Sequence, residues 1–264
     1  MIQTTDLRRL ERVSAYTRPV FDVDDRDRPN QLGSCVLLRV LDCRFLLTAA
    51  HVLNESDRST LYLGARDGNL VPICGRKYSP SIVGRKDRFD IAFLELAEDV
   101  SADSLSIEGT DVADNPNGNI YSVAGYPNSR SRLDSARKLI AADPIIITST
   151  PSPIRPYDSL GVKPQTHIIL DFSRTRMIET GRVLTAPFPA GMSGGGVWRS
   201  YDRSNPSSYL KKECLVGIFI EYHARDLNVL VGTRITAVLE MIRTGYPFLS
   251  ESIPRSPYVR INWQ

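Results

Sequence analysis

The stretch Pro189-Ala190-Gly191-Met192-Ser193-Gly194-Gly195-Gly196-Val197-Trp198 sets one serine among glycines and flanks the group with apolar residues. Glycine serves where a backbone must bend sharply or be approached closely. A bare backbone beside a hydroxyl suits a nucleophile that carries its own N–H donors for a developing oxyanion. Taken alone, the stretch reads equally well as a glycine-rich turn, and the rest of the chain has to decide.

Two further stretches bear on it. Phe45-Leu46-Leu47-Thr48-Ala49-Ala50-His51-Val52-Leu53 brings an apolar run to a histidine. Arg88-Phe89-Asp90-Ile91-Ala92-Phe93-Leu94-Glu95-Leu96 starts another from an aspartate. A serine hydroxyl is a weak nucleophile until a base takes its proton, and an acidic group fixes the tautomer of that base. Thr-Ala-Ala-His, Asp-Ile-Ala and Gly-x-Ser-Gly-Gly stand here in that order, and with them the chain resembles the trypsin-like (chymotrypsin-fold) serine peptidases of the intracellular bacterial type. The resemblance spans roughly residues 30 to 240.

The resemblance implies an all-β fold of two six-stranded antiparallel β-barrels with a C-terminal helix. It implies a serine endopeptidase that works through His51, Asp90 and Ser193 and an acyl-enzyme, on a protein or peptide substrate, with no cofactor and no metal. Gly191 and Ser193 would supply the oxyanion-hole N–H groups. By the same alignment Pro187, Ile220, Glu221, Tyr222 and Leu230 line the pocket for the residue before the cleaved bond. Pro187 offers no carboxylate for a Lys or Arg side chain, and strand alternation counted from Ile220 turns Glu221 away. Cleavage after apolar or small residues is therefore expected.

Three departures from the family pattern matter. Met192 stands where secreted relatives carry an aspartate that receives a newly cut N-terminus, so that switch is absent. Ile220 stands where a serine often supports the aspartate, which leaves Asp90 to backbone N–H groups near Ala50 and His51. Val52 follows the histidine where secreted members often have a bridging cysteine. Two readings of control stay open: loop order biased by substrate or by a regulatory partner protein, and a permanently formed site restrained by narrow specificity.

Bulk properties bound the rest. A chain of 264 residues, 42% hydrophobic, suffices for one large or two small domains with real cores. A net charge of +3 implies no nucleic-acid partner. No apolar run approaches a membrane span, and the first residues lack the basic-then-apolar pattern of a secretory leader. Cys35, Cys43, Cys74 and Cys214 form no C-x-x-C pair and read as reduced thiols in a cytoplasmic protein.

Pattern gives a short helix over 6–13, a loop over 22–31 and a hairpin of 35–40 with 44–48 that delivers His51 at its exit. Strands are expected at 59–63, 70–74 and 91–96. Residues 101–118 read as a linker between 1–100, with the histidine and aspartate, and 119–264, with the serine, the helix and a tail. The second part holds a strand starting at Ile120, others at 138–148, 166–172 and 181–186, and a hairpin of 213–220 with 229–234. A helix over 235–242 follows, with Gly245 as its stop.

Gly191 to Gly195 also fits the G-x-S-x-G elbow of α/β-hydrolases, with Asp202 and His223 following in the required order. Too few residues separate Ser193 from His223 for that fold's strand and helix units, and Pro187 and Pro189 argue against a buried parallel strand. A protease-fold binding module without turnover is the other alternative; three intact motifs argue against it. His167 reads as a structural strand histidine. His223 follows a strand, on a loop that borders the substrate in the family, and a place in the cleft stays open for it.

Overall fold

The computed structural model describes residues 4–26, 28–54, 60–79, 89–97, 100, 102–113, 119–134, 139–172, 177–179, 182–200, 213–224 and 227–260. Arg88 and Asp202 lie outside them.

The chain opens with α1 (Thr4–Tyr16) and enters β1 (Thr17–Val23), β2 (Pro29–Val40) and β3 (Cys43–Ala49), then the short helix α2 (Ala50–Asn54). β4 (Tyr62–Gly64), β5 (Leu70–Pro72), β6 (Lys77–Tyr78) and β7 (Ile91–Glu95) complete a sheet ordered β5-β4-β1-β2-β3-β7-β6. β5 leaves its pairing with β4 and the chain runs straight on into β6, which pairs with β7. The sheet thereby curls round on itself, and β5 and β6 serve as two pieces of one barrel strand. Phe45, Leu47 and Phe93 are fully buried in its core, with Phe45 edge-on to Phe93 at 5.7 Å and Tyr78 stacked on Phe93 at 4.6 Å.

The crossing between the halves is tied at both ends. β8 (Leu105–Ser106) lies parallel to β2, a single 3-10 turn follows, and Thr110 bridges Leu215 of the second half. Beyond it come β9 (Ile120–Gly125), the hairpin β10 (Ser131–Asp134) and β11 (Leu139–Ala142), β12 (Ile145–Ser149), α3 (Ile154–Leu160) and β13 (His167–Asp171). The hairpin β14 (Met177–Glu179) and β15 (Arg182–Leu184), then β16 (Gly196–Ser200), β17 (Cys214–His223) and β18 (Val229–Arg234), lead to α4 (Ile235–Gly245). Six of these strands form a sheet ordered β12-β9-β16-β17-β18-β13. Its ends meet where Pro151 bridges Leu170 and the Ser152 N–H donates to Ile169 O at 2.8 Å, which closes the second barrel.

α4 returns to the first barrel. The ring of Tyr246, just past its last turn, sits 5.2 Å from Phe45, and its hydroxyl donates to Glu95 Oε2 at 2.7 Å. No helix among the described residues is long and apolar enough to cross a membrane.

The fold is the expected pair of antiparallel barrels with a C-terminal helix. The strand expected over 138–148 is two, β11 and β12, and β6, β8, β10 and β14 were not expected; three further differences have a local physical reason. The loop expected over 22–31 shrinks to a tight turn between Val23 and Pro29. Asp24 Oδ1 accepts the N–H groups of Arg26 and Arg28, each at 2.9 Å, so turn-like composition extended the expected loop into two strand ends. β1 was hidden because Pro19 argues against a paired strand; a register shift between Val20 and Phe21 accompanies it. α3 was hidden by Pro153 and Pro156, yet Pro153 takes the N-cap position, where a missing N–H costs nothing.

Replacing Phe93 by Ala removes the ring that Phe45 and Tyr78 pack against. It should cost about 3–5 kcal/mol in urea denaturation. A loss under about 1 kcal/mol would contradict this account of the first core.

Candidate active site

Register brings the histidine and the aspartate together. β3 and β7 pair with Ala49 opposite Ile91, so the residues just after β3 meet the residue just before β7. His51 lies in α2 and Asp90 immediately precedes β7. His51 Nδ1 sits 2.6 Å from Asp90 Oδ2, and the His51 N–H donates to Asp90 Oδ1 at 3.0 Å. The Ala50 N–H goes to the main-chain oxygen of Asp90 at 2.9 Å. With Ile220 in place of a supporting serine, the carboxylate is thus held by His51 itself, twice.

Asp90 has φ +38°, a left-handed conformation that an aspartate adopts at some cost. The second barrel helps hold it. Thr233 Oγ1 of β18 donates to Phe89 O, and His167 of β13 stacks on the Phe89 ring at 5.6 Å. His167 is therefore structural, as read from the sequence. Thr233 was missed, because nothing in the run Val231-Gly232-Thr233 marks a hydroxyl that reaches across to the other barrel.

The hydrogen bond to Asp90 raises the His51 pKa above the ordinary 6.5; partial burial opposes it, and the charges of Asp90 and then Glu221 add to it. Alternation turned Glu221 away from the cleft. β17 shifts register between Phe219 and Glu221, so alternation does not carry through, and the Glu221 charge acts on His51. His223 Nε2 lies 2.7 Å from Glu221 Oε1, which puts that histidine beside the same carboxylate.

In the serine loop the hydrogen bonds alternate. Every carbonyl from Ala190 to Ser193 is taken. Ala190 O accepts from Asn128 N at 2.9 Å, Gly191 O from Ser34 Oγ at 2.8 Å, Met192 O from Gly195 N at 2.9 Å, and Ser193 O from Ser34 N at 2.7 Å. The N–H groups of Met192 and Gly194 are also bonded, to Pro189 O at 3.0 Å and Phe219 O at 2.7 Å. The N–H groups of Gly191 and Ser193 have no acceptor among the described residues. Buried backbone N–H groups are almost always paired. Gly191 at φ +88° and Gly194 at φ +89° make the path possible; a Cβ on Gly191 would lie 1.9 Å from Asn128 Oδ1.

The serine and histidine elements meet at Gly33. A Cβ there would come within 2.5 Å of the Val52 side chain and 2.8 Å of Ser193 O. No hydrogen bond joins Ser193 Oγ to His51 among those described. In sites without substrate that bond is often long and tightens only when substrate is bound.

The residues expected to line the specificity pocket divide. Ile220 and Leu230 are 2% and 1% exposed, so both side chains lie in the core. Pro187 is half-buried, and Tyr222 is held edge-on between Phe172 at 5.2 Å and Phe188 at 5.5 Å.

Two closed antiparallel barrels, with a histidine–aspartate pair on one and a Gly-x-Ser loop on the other, define the chymotrypsin fold. The sequence matches the family described as "Trypsin-like peptidase domain" over residues 33–203, and the chain belongs to that family. Among solved structures it is similar to a protein named GrC, at 17% identity and a TM-score of 0.51 over 90% of this chain and 94% of that one. It is also similar to human heparin binding protein, at 14% identity and a TM-score of 0.53 over 92% and 94%. No curated protein sequence matches it.

The His51–Asp90 pair favours protonated imidazole. Its contribution to stability is full below the ordinary pKa of 6.5 and is lost as pH rises through the higher folded value. A base must be neutral to accept a proton, so any hydrolysis that uses His51 should have its acid limb above 6.5. Asp90→Asn should move the His51 titration downward when followed by NMR; an unmoved titration would contradict the assigned cause.

Proposed function

We propose that the chain is a serine endopeptidase that hydrolyses peptide bonds through His51, Asp90 and Ser193. The observation that carries the reading is the pair of N–H groups, Gly191 and Ser193, without an acceptor among the described residues, in a loop where every carbonyl from Ala190 to Ser193 and the N–H groups of Met192, Gly194 and Gly195 are bonded. Ser193 Oγ attacks the substrate carbonyl while His51 Nε2 takes its proton. Asp90 Oδ2 accepts from His51 Nδ1 and stabilises the imidazolium that forms. The carbonyl oxygen, now an anion, receives the N–H groups of Gly191 and Ser193; one such donor is worth about 10²–10³ in kcat. The tetrahedral species collapses, His51 gives its proton to the leaving amine, and an ester to Ser193 remains. Water, deprotonated by His51, then releases the acid and restores the serine. No cofactor enters this scheme.

Cys35, Cys43, Cys74 and Cys214 form no disulfide with one another, which supports a reducing compartment such as the cytoplasm. The competing reading, a protease-fold binding module without turnover, draws on the lack of a hydrogen bond between Ser193 Oγ and His51. One experiment separates the two. A fluorophosphonate probe should label the protein at Ser193. Ser193→Ala should abolish labelling and cleavage while shifting stability by no more than about 0.5 kcal/mol, and His51→Ala should reduce cleavage nearly as far. Undiminished cleavage by either variant would remove the assignment.

Specificity for the residue before the scissile bond follows from the aligned pocket residues. Tyr222 is a bulky side chain at the aligned wall, and Pro187 at the aligned base supplies no charge to pair a cation. A peptide library should return small or apolar residues at that position. A profile dominated by Lys or Arg would refute the pocket assignment.

A further inference from the structure

The loop that presents Gly191 and Ser193 belongs to the second barrel, yet much of what holds it comes from β2 of the first. Ser34 is fully buried, and its hydroxyl is used twice: it donates to Gly191 O at 2.8 Å and accepts the Tyr126 N–H at 2.9 Å. Gln31, three residues earlier on the same strand, donates through Nε2 to Tyr126 O and to Gly191 O at 3.3 Å. Both side chains therefore converge on one carbonyl, that of Gly191.

That carbonyl belongs to the peptide between Gly191 and Met192, whose N–H is tied on the other side to Pro189 O. The preceding peptide is fixed by Asn128 N on Ala190 O. With its carbonyl turned to Asn128, that trans peptide aims the Gly191 N–H the opposite way, where it stays unbonded. Rotation of the peptide between Ala190 and Gly191 would misdirect the Gly191 N–H; Ser34 and Gln31 fix its neighbour across the Gly191 Cα and, through Tyr126 N and O, the segment that brings Asn128 N to Ala190 O. Tyr126, which joins them, also donates its hydroxyl to Thr17 O at 3.2 Å, where α1 passes into β1.

Gln31 is not there for stability alone. It is 8% exposed, and its Oε1 has no hydrogen-bond partner among the described residues. A buried amide with an unpaired oxygen is unfavourable, and an apolar side chain of the same size would pack without that cost. What the amide supplies is the pair of donor bonds to Tyr126 O and Gly191 O.

We propose that Ser34 and Gln31 are positioning residues that hold the oxyanion hole open from the opposite barrel, in the place of the buried acid and inserted N-terminus that Met192 rules out. The proposal rests on the peptidase reading above. It follows that the hole needs no ion pair between a buried acid and an N-terminal amine.

The test uses the full chain with Ser34→Ala and with Gln31→Met, and Val238→Ala in α4 as a control destabilised elsewhere. Hydrogen exchange over residues 189–196 should become faster in both loop-facing variants and stay at the wild-type rate in the control. With a small peptide substrate, kcat should fall about ten- to a hundredfold, the range set by a weakened oxyanion donor, while KM stays within about twofold. Val238→Ala at a matched melting temperature should keep the wild-type kcat. Unchanged loop exchange, or a kcat loss no larger than the control's, overturns the proposal. If Ser34→Ala does not fold, Gln31→Met carries the same measurements. A wild-type protein that neither labels nor cleaves overturns the peptidase reading instead, and the exchange rates then decide whether these two side chains hold the loop.

Discussion

The Ser34 N–H donates to Ser193 O at 2.7 Å, and that bond joins the two halves of the proposed machinery. His51 and Asp90 stand on the first barrel, Ser193 and the N–H groups of Gly191 and Ser193 on the second. On the proposed mechanism neither barrel acts without the other in register, and alignment of such groups accounts for a large part of enzymatic rate enhancement. The interface is accordingly over-determined. Thr233 reaches back to Phe89 beside Asp90, His167 stacks on the same phenylalanine, and Gly33 is squeezed between Val52 and the serine loop. Trp198, Leu215, Ile218 and Ile220 of the second barrel share one apolar cluster with Leu37, Leu46 and Val52 of the first. The Tyr246 ring, just past α4, adds a clamp of aromatic contacts on Phe45.

Met192 shows how the loop is held without charge. Its side chain is fully buried in the second barrel's core with Val123, Val197 and Phe219. Gly125 makes room for it, since a Cβ there would come within 3.1 Å of Met192. A carboxylate in that place would need a partner to repay its desolvation; a thioether needs only apolar neighbours. The loop is therefore fixed by packing from beneath and by neutral hydrogen bonds from the other barrel. Neither needs an ion pair with an N-terminal amine.

Much of this was legible in the sequence because chemistry demands particular residues. His51, Asp90 and Ser193 lie in short runs whose residue types and order are hard to assemble for another purpose, and the strand pattern around them agreed. What stayed hidden depends on register and on contacts distant in sequence. The charge that Glu221 brings to bear on His51 comes after a register shift in β17 that alternation cannot anticipate. The roles of Ser34, Gln31 and Thr233 exist only once two barrels are docked, since a serine or glutamine in a strand carries no local mark. β1 and α3 were masked by Pro19, Pro153 and Pro156, which local rules read as breaks and which the fold accommodates at a bulged strand and a helix N-terminus.

The central claim is that Gly191 and Ser193 present two N–H groups to a negative oxygen on a carbon bonded to Ser193 Oγ. A crystal structure of the protein reacted with a peptidyl trifluoromethyl ketone tests it most directly. The account requires a tetrahedral hemiketal on Ser193 Oγ, its oxygen within about 2.7–3.1 Å of both N–H groups, and His51 Nε2 beside the new bond. An adduct whose oxygen points to solvent, or no adduct at Ser193 at a saturating concentration of the ketone, would contradict it.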